Sequence, residues 1–179
     1  DPVTVKEIHQ LNPTTVEVLY SNGNYLFIDF YGENIFRVFQ DNAGGIIRDP
    51  EAKPAAKILV DNPRKDIGKL TVASHDGEVS VSSQKVKIDV DRQTTLMKVT
   101  DLSTGKVVME EKAPVDFKKN KYTVYLVEKP DEYFYGGGVQ NGRFSHRGKK
   151  IDIVNTNSWT DGGVASPTPF YWSTGGYGI

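Results

Sequence analysis

The sequence predicts an all-β fold of antiparallel strands, a sandwich or a barrel, and three observations carry that prediction. The first is composition. Val (20), Ile (11) and Thr (13) outnumber Leu (8) and Ala (7), and Tyr (9) and Phe (8) add to the bias. Branched and aromatic side chains suit a pleated strand, whereas helices are rich in Leu and Ala. The second is punctuation, since 17 Gly and 9 Pro supply turns along the whole chain. The third is spacing. Short apolar runs recur evenly, without a long stretch of 3.6-residue periodicity.

The elements follow in order. Residues 3–8 alternate in part. Residues 16–20 and 25–30 form two apolar runs around Asn22-Gly23, which reads as a tight hairpin. Residues 34–39 form another strand. Residues 41–68 are rich in Gly, Pro, Asp and Lys and read as a surface excursion, with one short strand at Lys57–Val60. Residues 70–73 and 78–81 flank Asp76-Gly77, a second hairpin. Residues 86–90 alternate cleanly, which predicts one wet face. Residues 95–100 and 106–110 flank Ser103-Thr104-Gly105, and 122–127 is a further strand. Lys118-Lys119-Asn120-Lys121 reads as a solvated turn.

The charge balance narrows the function. Lys plus Arg is 22 and Asp plus Glu is 23, a net charge of −1 over 179 residues. Nucleic acids and anionic membranes select a basic field, so neither is expected as a partner. With no cysteine, disulfide scaffolds, thiol nucleophiles and iron–sulfur sites are excluded. The three histidines have no metal-ligand spacing, so no metal and no cofactor are expected. No apolar run approaches the roughly 18 residues that span a bilayer. The chain opens on Asp1, without Met or a signal-like segment, which suggests a removed leader or a trimmed start. The compartment is left open between secretion and the cytoplasm, a secreted enzyme of bacterial type being preferred.

The information is densest after Asp131. Both tryptophans and ten of the 17 glycines lie there. Aromatics, amides and glycines gathered in loops suit sugar recognition. Flat rings pack on the C–H faces of a pyranose, and Asn, Asp, Arg and His pair with hydroxyls. Gly136-Gly137-Gly138 is read as a turn leading out of a strand. A phosphate loop would be followed by a helix, and none is predicted. His146 is read as a loop or surface histidine, and Trp172 as a core or interdomain packing residue.

Four pieces in order carry a resemblance. They are Tyr135-Gly136-x-Gly138; Arg147-Gly148; Ile153-x-Asn155-x-Asn157; and Pro169-Phe170-Tyr171-x-Ser173-x-x-Gly176-Tyr177-Gly178. In this order they resemble the amino-terminal β-sandwich of glycoside hydrolase family 31, which includes α-glucosidases, α-xylosidases and transglycosylases. Arg37-Val38 and residues 86–111 match the family's upstream strands more loosely. Gly137 and Val139 stand where the family often has Leu and Glu, and Asn157 stands where it commonly has Asp.

The resemblance implies a galactose-mutarotase-like antiparallel β-sandwich over residues 1–179, ending before its last strands. It implies the front of a longer retaining α-glycosidase, α-glucosidase-like and acting on α-linked oligosaccharides. The catalytic carboxylates would then lie on a following (β/α)8 barrel of the same chain, since no segment here resembles the nucleophile or acid motifs. The fragment itself is expected to be inactive. Asn157, Trp159 and Asp161 match the loop that reaches toward the barrel and shapes the subsites nearest the cleaved bond. A free-standing carbohydrate-binding module is the alternative. A sugar mutarotase would need an acid–base pair that the sequence does not display.

Overall fold

A computed structural model of the chain describes residues 1–48, 67–118, 121–142, 144–160 and 162–179, with backbone alone at 117 and 118. The strand expected at Lys57–Val60 lies outside these residues, as do Lys119 and Asn120 of the expected lysine-rich turn. The described residues are all-β, without a helix, in agreement with the composition. They divide into two compact units, Asp1–Tyr125 and Leu126–Ile179.

The first unit holds two sheets. One contains β1 (Val5–Asn12), β2 (Thr15–Tyr20), β3 (Tyr25–Gly32) and β4 (Ile35–Asp41) in sequence order. The other contains β5 (Thr71–Ser74), β6 (Glu78–Ser82), β7 (Val86–Asp91), β8 (Met97–Asp101), β9 (Lys106–Lys118) and β10 (Lys121–Leu126), in the order β10-β9-β8-β7-β6-β5. Pairing is antiparallel from β1 to β4 and from β5 to β9. Val16, Val18, Ile28 and Phe30 of the first sheet share one buried cluster with Val79, Val81, Ile88 and Val90 of the second. The period-2 pattern places these residues on facing surfaces, which makes the unit a sandwich.

The hairpin at Asn22-Gly23 forms as expected. Gly23 takes the left-handed conformation (φ 83°), its N–H donates to Tyr20 O at 3.0 Å, and the Tyr20 N–H donates to Asn24 O at 2.8 Å. The strand expected from Thr95 starts instead at Met97. Asp91 Oδ1 accepts from Gln93 N–H (2.9 Å), Thr94 N–H (2.7 Å) and the Thr94 hydroxyl (2.8 Å). That local capture of the backbone leaves Thr95 at φ 63° and delays the ladder.

The face of β7 expected to be wet is largely covered, and so is the outward face of β3. On β7, Asp89 is buried, with Lys87 Nζ at 2.7 Å and Lys98 Nζ at 3.9 Å. On β3, Phe27 and Asp29 point away from the central cluster and are buried as well. Phe27 stacks on Phe39 at 4.7 Å, and Arg37 lies 4.9 Å from the Phe39 centroid. Asp29 accepts from the Thr15 hydroxyl and from Arg37 Nη2, both at 2.9 Å, along one cross-strand row.

Glu111 supplies a pH test of this unit. It is buried and accepts the Met97 N–H at 2.8 Å. Burial raises its pKa above 4.5, against the opposing effect of that hydrogen bond. A carboxyl whose folded pKa is raised loses stability as pH climbs from its unfolded value through its folded one. Glu111→Gln, which keeps an acceptor for Met97, is expected to melt above the parent at pH 8. That gain should vanish near pH 4, and equal melting temperatures at both pH values would refute the assignment.

Candidate functional site

The second unit is a three-stranded sheet of β11 (Phe134–Gln140), β12 (Val164–Ser173) and β13 (Tyr177–Gly178). It contains the glycine run, and here the sequence reading needs correction. Gly136, Gly137 and Gly138 are not a turn after a strand but the interior of β11, at φ 109°, 77° and 77°. The ladder slips at this point, because Gly136 faces Tyr171 whereas Gly138 faces Pro167. A Cβ on Gly136 would lie 2.7 Å from Phe170 O, and one on Gly138 only 2.1 Å from Ser166 O. Glycine is required because the β12 backbone occupies the side-chain space.

Below this bulge the motif residues hold backbone. Glu132 is 3% exposed. Its carboxylate accepts from the Ser173 hydroxyl and, at 2.9 Å, from the Lys129 N–H. Burial pushes the Glu132 pKa up. The hydrogen bonds from Ser173, Lys129 and Tyr177 outweigh burial and hold it below its usual value. Burial in turn raises the Tyr171 and Tyr177 hydroxyls, with the Glu132 charge acting in the same sense. Arg147 Nη1 donates to the carbonyls of Lys129 and Glu132, and Nη2 pairs with Glu128 at 2.9 Å.

His146 is not at the surface. It is 6% exposed, its N–H donates to Phe134 O at 2.8 Å, and its Nε2 lies 2.8 Å from Gly136 O. The ring fastens the segment after β11 onto the bulge. Nothing in the residue pattern before it announces that burial.

The loop between β11 and β12 brings two of the three expected substrate residues together. Trp159 is 70% exposed. Asn157 is exposed, sits at φ 49°, and its N–H donates to Asn155 Oδ1 at 2.9 Å. Asp161, the third, lies outside the described residues. The base of the loop is pinned to Asn141 by three hydrogen bonds. Asn141 Nδ2 donates to Ser158 O (3.0 Å), the Asn141 N–H to Gly163 O (3.0 Å), and the Gly162 N–H to Asn141 O (2.8 Å). Thr156 Oγ1 donates to Val164 O at 3.0 Å. Gly163 packs so tightly that a Cβ would lie 2.5 Å from Ser158 Oγ. Asn141 was not singled out in the sequence, where Asn-Gly signals only a turn.

A second aromatic group lies on the sheet. Tyr135 and Trp172 are cross-strand partners stacked at 4.6 Å, and the Phe144 ring, 88% exposed, meets Tyr135 edge-on at 5.6 Å. Trp172 packs on one side but remains half-exposed, so it is not a core residue. Among the described residues no group of three or more His, Asp or Glu is placed to hold a metal ion.

Residues 25–179 match the glycosyl hydrolase 31 N-terminal galactose mutarotase-like domain. The chain belongs to this family. No curated protein matches the sequence. Solved structures of the family share its fold. A dextranase from Flavobacterium johnsoniae, solved with isomaltotriose, is 16% identical with a TM-score of 0.73, covering 99% of this chain and 21% of the enzyme. An α-xylosidase from a soil metagenome, solved with xylose, is 20% identical with a TM-score of 0.72, covering 97% and 27%. The cycloalternan-forming enzyme of Listeria monocytogenes, solved with a pentasaccharide substrate, is 16% identical with a TM-score of 0.72, covering 99% and 17%. The glycoside hydrolase 31 amino-terminal domain seen here thus spans about a fifth of the first of these enzymes. Its Tyr-Gly-x-Gly, Arg-Gly and Pro-Phe-Tyr motifs form one hydrogen-bonded frame.

Proposed function

We propose that residues 1–179 are the amino-terminal domain of a retaining α-glycosidase, α-glucosidase-like in its preference for α-linked oligosaccharides. The domain performs no bond cleavage. It braces a (β/α)8 barrel in the same polypeptide and lends the rim of the substrate site the loop that carries Asn157, Trp159 and Asp161. The observation that carries this reading is the exposed Trp159 on a loop whose base is hydrogen-bonded at Asn141 and Val164. An exposed indole on a held backbone gives a pyranose a flat face at little conformational cost.

The chemistry then divides by place. On the barrel, one carboxylate attacks the anomeric carbon while a carboxylic acid protonates the leaving oxygen. Water or another sugar then resolves the glycosyl-enzyme. Within the second unit Glu132 is spent on backbone and hydroxyl donors, Glu128 on Arg147 and Asp152 on Lys150. The Tyr135–Trp172–Phe144 group, exposed at Trp172 and Phe144, suits an apolar face of the barrel.

The test compares residues 1–179 with the full-length enzyme on aryl α-glucosides and α-xylosides. Turnover is expected from the full-length enzyme only, and turnover by residues 1–179 would overturn the division of labour. In the full-length enzyme Trp159→Ala is expected to lower kcat/KM about three- to tenfold, the worth of one aromatic stacking contact. The same exposed Trp159 favours a second reading, a free-standing carbohydrate-binding module. Calorimetric titration of residues 1–179 with maltose and isomaltose separates the two, since tight binding supports the module.

A further inference from the structure

We infer that Asn141 is a positioning residue, which presets the loop limb around Ser158 through its side-chain amide and so holds Trp159 and Asn157 in place for sugar. The inference rests on the proposed reading that this loop borders the substrate site.

Three observations carry it. Among the described residues outside the loop, Asn141 alone reaches both of its limbs, Ser158 on the entering limb through Nδ2 and Gly162 and Gly163 on the returning limb through its backbone. It stands immediately after β11, so its backbone is fixed by the ladder from Gln140 to Val164. The Gln140 side chain is itself anchored, donating from Nε2 to Gly137 O at 2.9 Å. The amide therefore transmits the position of the sheet to Ser158, one residue from Asn157 and one from Trp159.

The other fastenings do not replace it. Thr156 Oγ1 and Ser158 N–H both bond to Val164 O, the latter at 3.3 Å, and so tie the entering strand to one carbonyl. Ser158 Oγ and Thr160 Oγ1, 2.9 Å apart, lie within the loop and tie it to nothing outside. Without the Asn141 amide the entering strand would hinge about Val164. Preorganisation of this kind affects sugar binding more than the reacting bond, because the loop supplies no reacting atom.

The experiment uses the full-length enzyme with Asn141→Ala and Asn141→Asp. The Asp variant keeps the size, the turn preference and both backbone bonds, and replaces the Nδ2 donor by a carboxylate oxygen that repels the Ser158 carbonyl; the Ala variant removes the donor without adding charge. Hydrogen exchange resolved by peptide is measured over 154–165, with peptides of β2 and β3 reporting that the fold stands. Exchange in 154–165 is expected to quicken about tenfold in both variants, the loss of one hydrogen bond. KM for the aryl glycoside that the parent cleaves should rise about three- to tenfold, with kcat within about twofold. A merely structural residue would lower the amount of active enzyme, and so the apparent kcat, without moving KM.

Unchanged exchange in 154–165 overturns the inference whatever the kinetics. So does a Trp159→Ala variant that raises KM while both Asn141 variants leave it alone. If neither Trp159→Ala nor the Asn141 variants move KM although exchange quickens, the loop does not face sugar. In that case the proposed reading of the loop fails, and the positioning role with it, while the hydrogen bond is upheld.

Discussion

Gly138→Ala is expected to unravel the second unit's sheet. The added methyl would lie 2.1 Å from Ser166 O and 2.6 Å from Thr168 N, both backbone atoms that cannot swing aside. The residue also sits at φ 77°, where an L side chain is strained. Overlap and strain together should cost about 3 kcal/mol or more, enough to separate β11 from β12. Gly148→Ala is the control. Its φ is 65°, but a Cβ there would meet nothing within 4 Å, so it isolates the conformational part, about 1 kcal/mol. Thermal melting and exchange of the β11 and β12 amides report both. If Gly138→Ala behaves no worse than Gly148→Ala, the close approach of β12 is wrong.

Glu132→Ala is the second large effect. The substitution removes the acceptor of the Lys129 N–H and of the Ser173 and Tyr177 hydroxyls, and leaves these donors facing a buried gap. Loss of a charged acceptor shared by several donors should cost about 2–4 kcal/mol. A pH dependence accompanies it. Because the folded pKa of Glu132 lies below its ordinary 4.5, its contribution is complete above pH 4.5 and is lost as pH falls through the folded value. Glu132→Gln should flatten that acid limb, a sign opposite to that expected at Glu111. An acid limb as steep in Glu132→Gln as in the parent would remove Glu132 from the account.

These two residues show what kind of information the family motifs contain. Read as residue types, Tyr135, Gly136, Gly138, Arg147 and Tyr177 suggest a sugar site. In the structure Gly136 and Gly138 admit the β12 backbone, Arg147 gathers the carbonyls of Lys129 and Glu132, and Tyr177 closes on Glu132. The motifs build the frame, and the exposed loop carries what faces outward. Asn157, one of the three departures from the family pattern, is on that loop, where its left-handed backbone suits Asn.

Much of the strand pattern was legible because the period of two is a local property. Val16 and Val18 alternate about Glu17, and Ile28 and Phe30 about Asp29, and hairpin residues such as Asn22-Gly23 lie within a few positions of the strands they join. Where side chains captured the backbone, as Asp91 does before β8, the strand began later than its apolar run. The all-β class and the family membership followed from composition and from motifs in order, neither of which needs distance information.

The candidate site was legible only in part. That Asn157 and Trp159 share a loop follows from their spacing. That the loop is held by Asn141 does not, because the partners are 17 residues apart and meet only when β11 pairs with β12. The burial of His146 and Glu132, and the strand character of Gly136–Gly138, were decided in the same way. By itself the sequence determined which segments of the first unit become strands, since alternation and turn chemistry act between near neighbours. Tertiary structure alone decided which polar groups are buried and which loop is pinned, since both depend on backbone atoms brought close from distant parts of the chain.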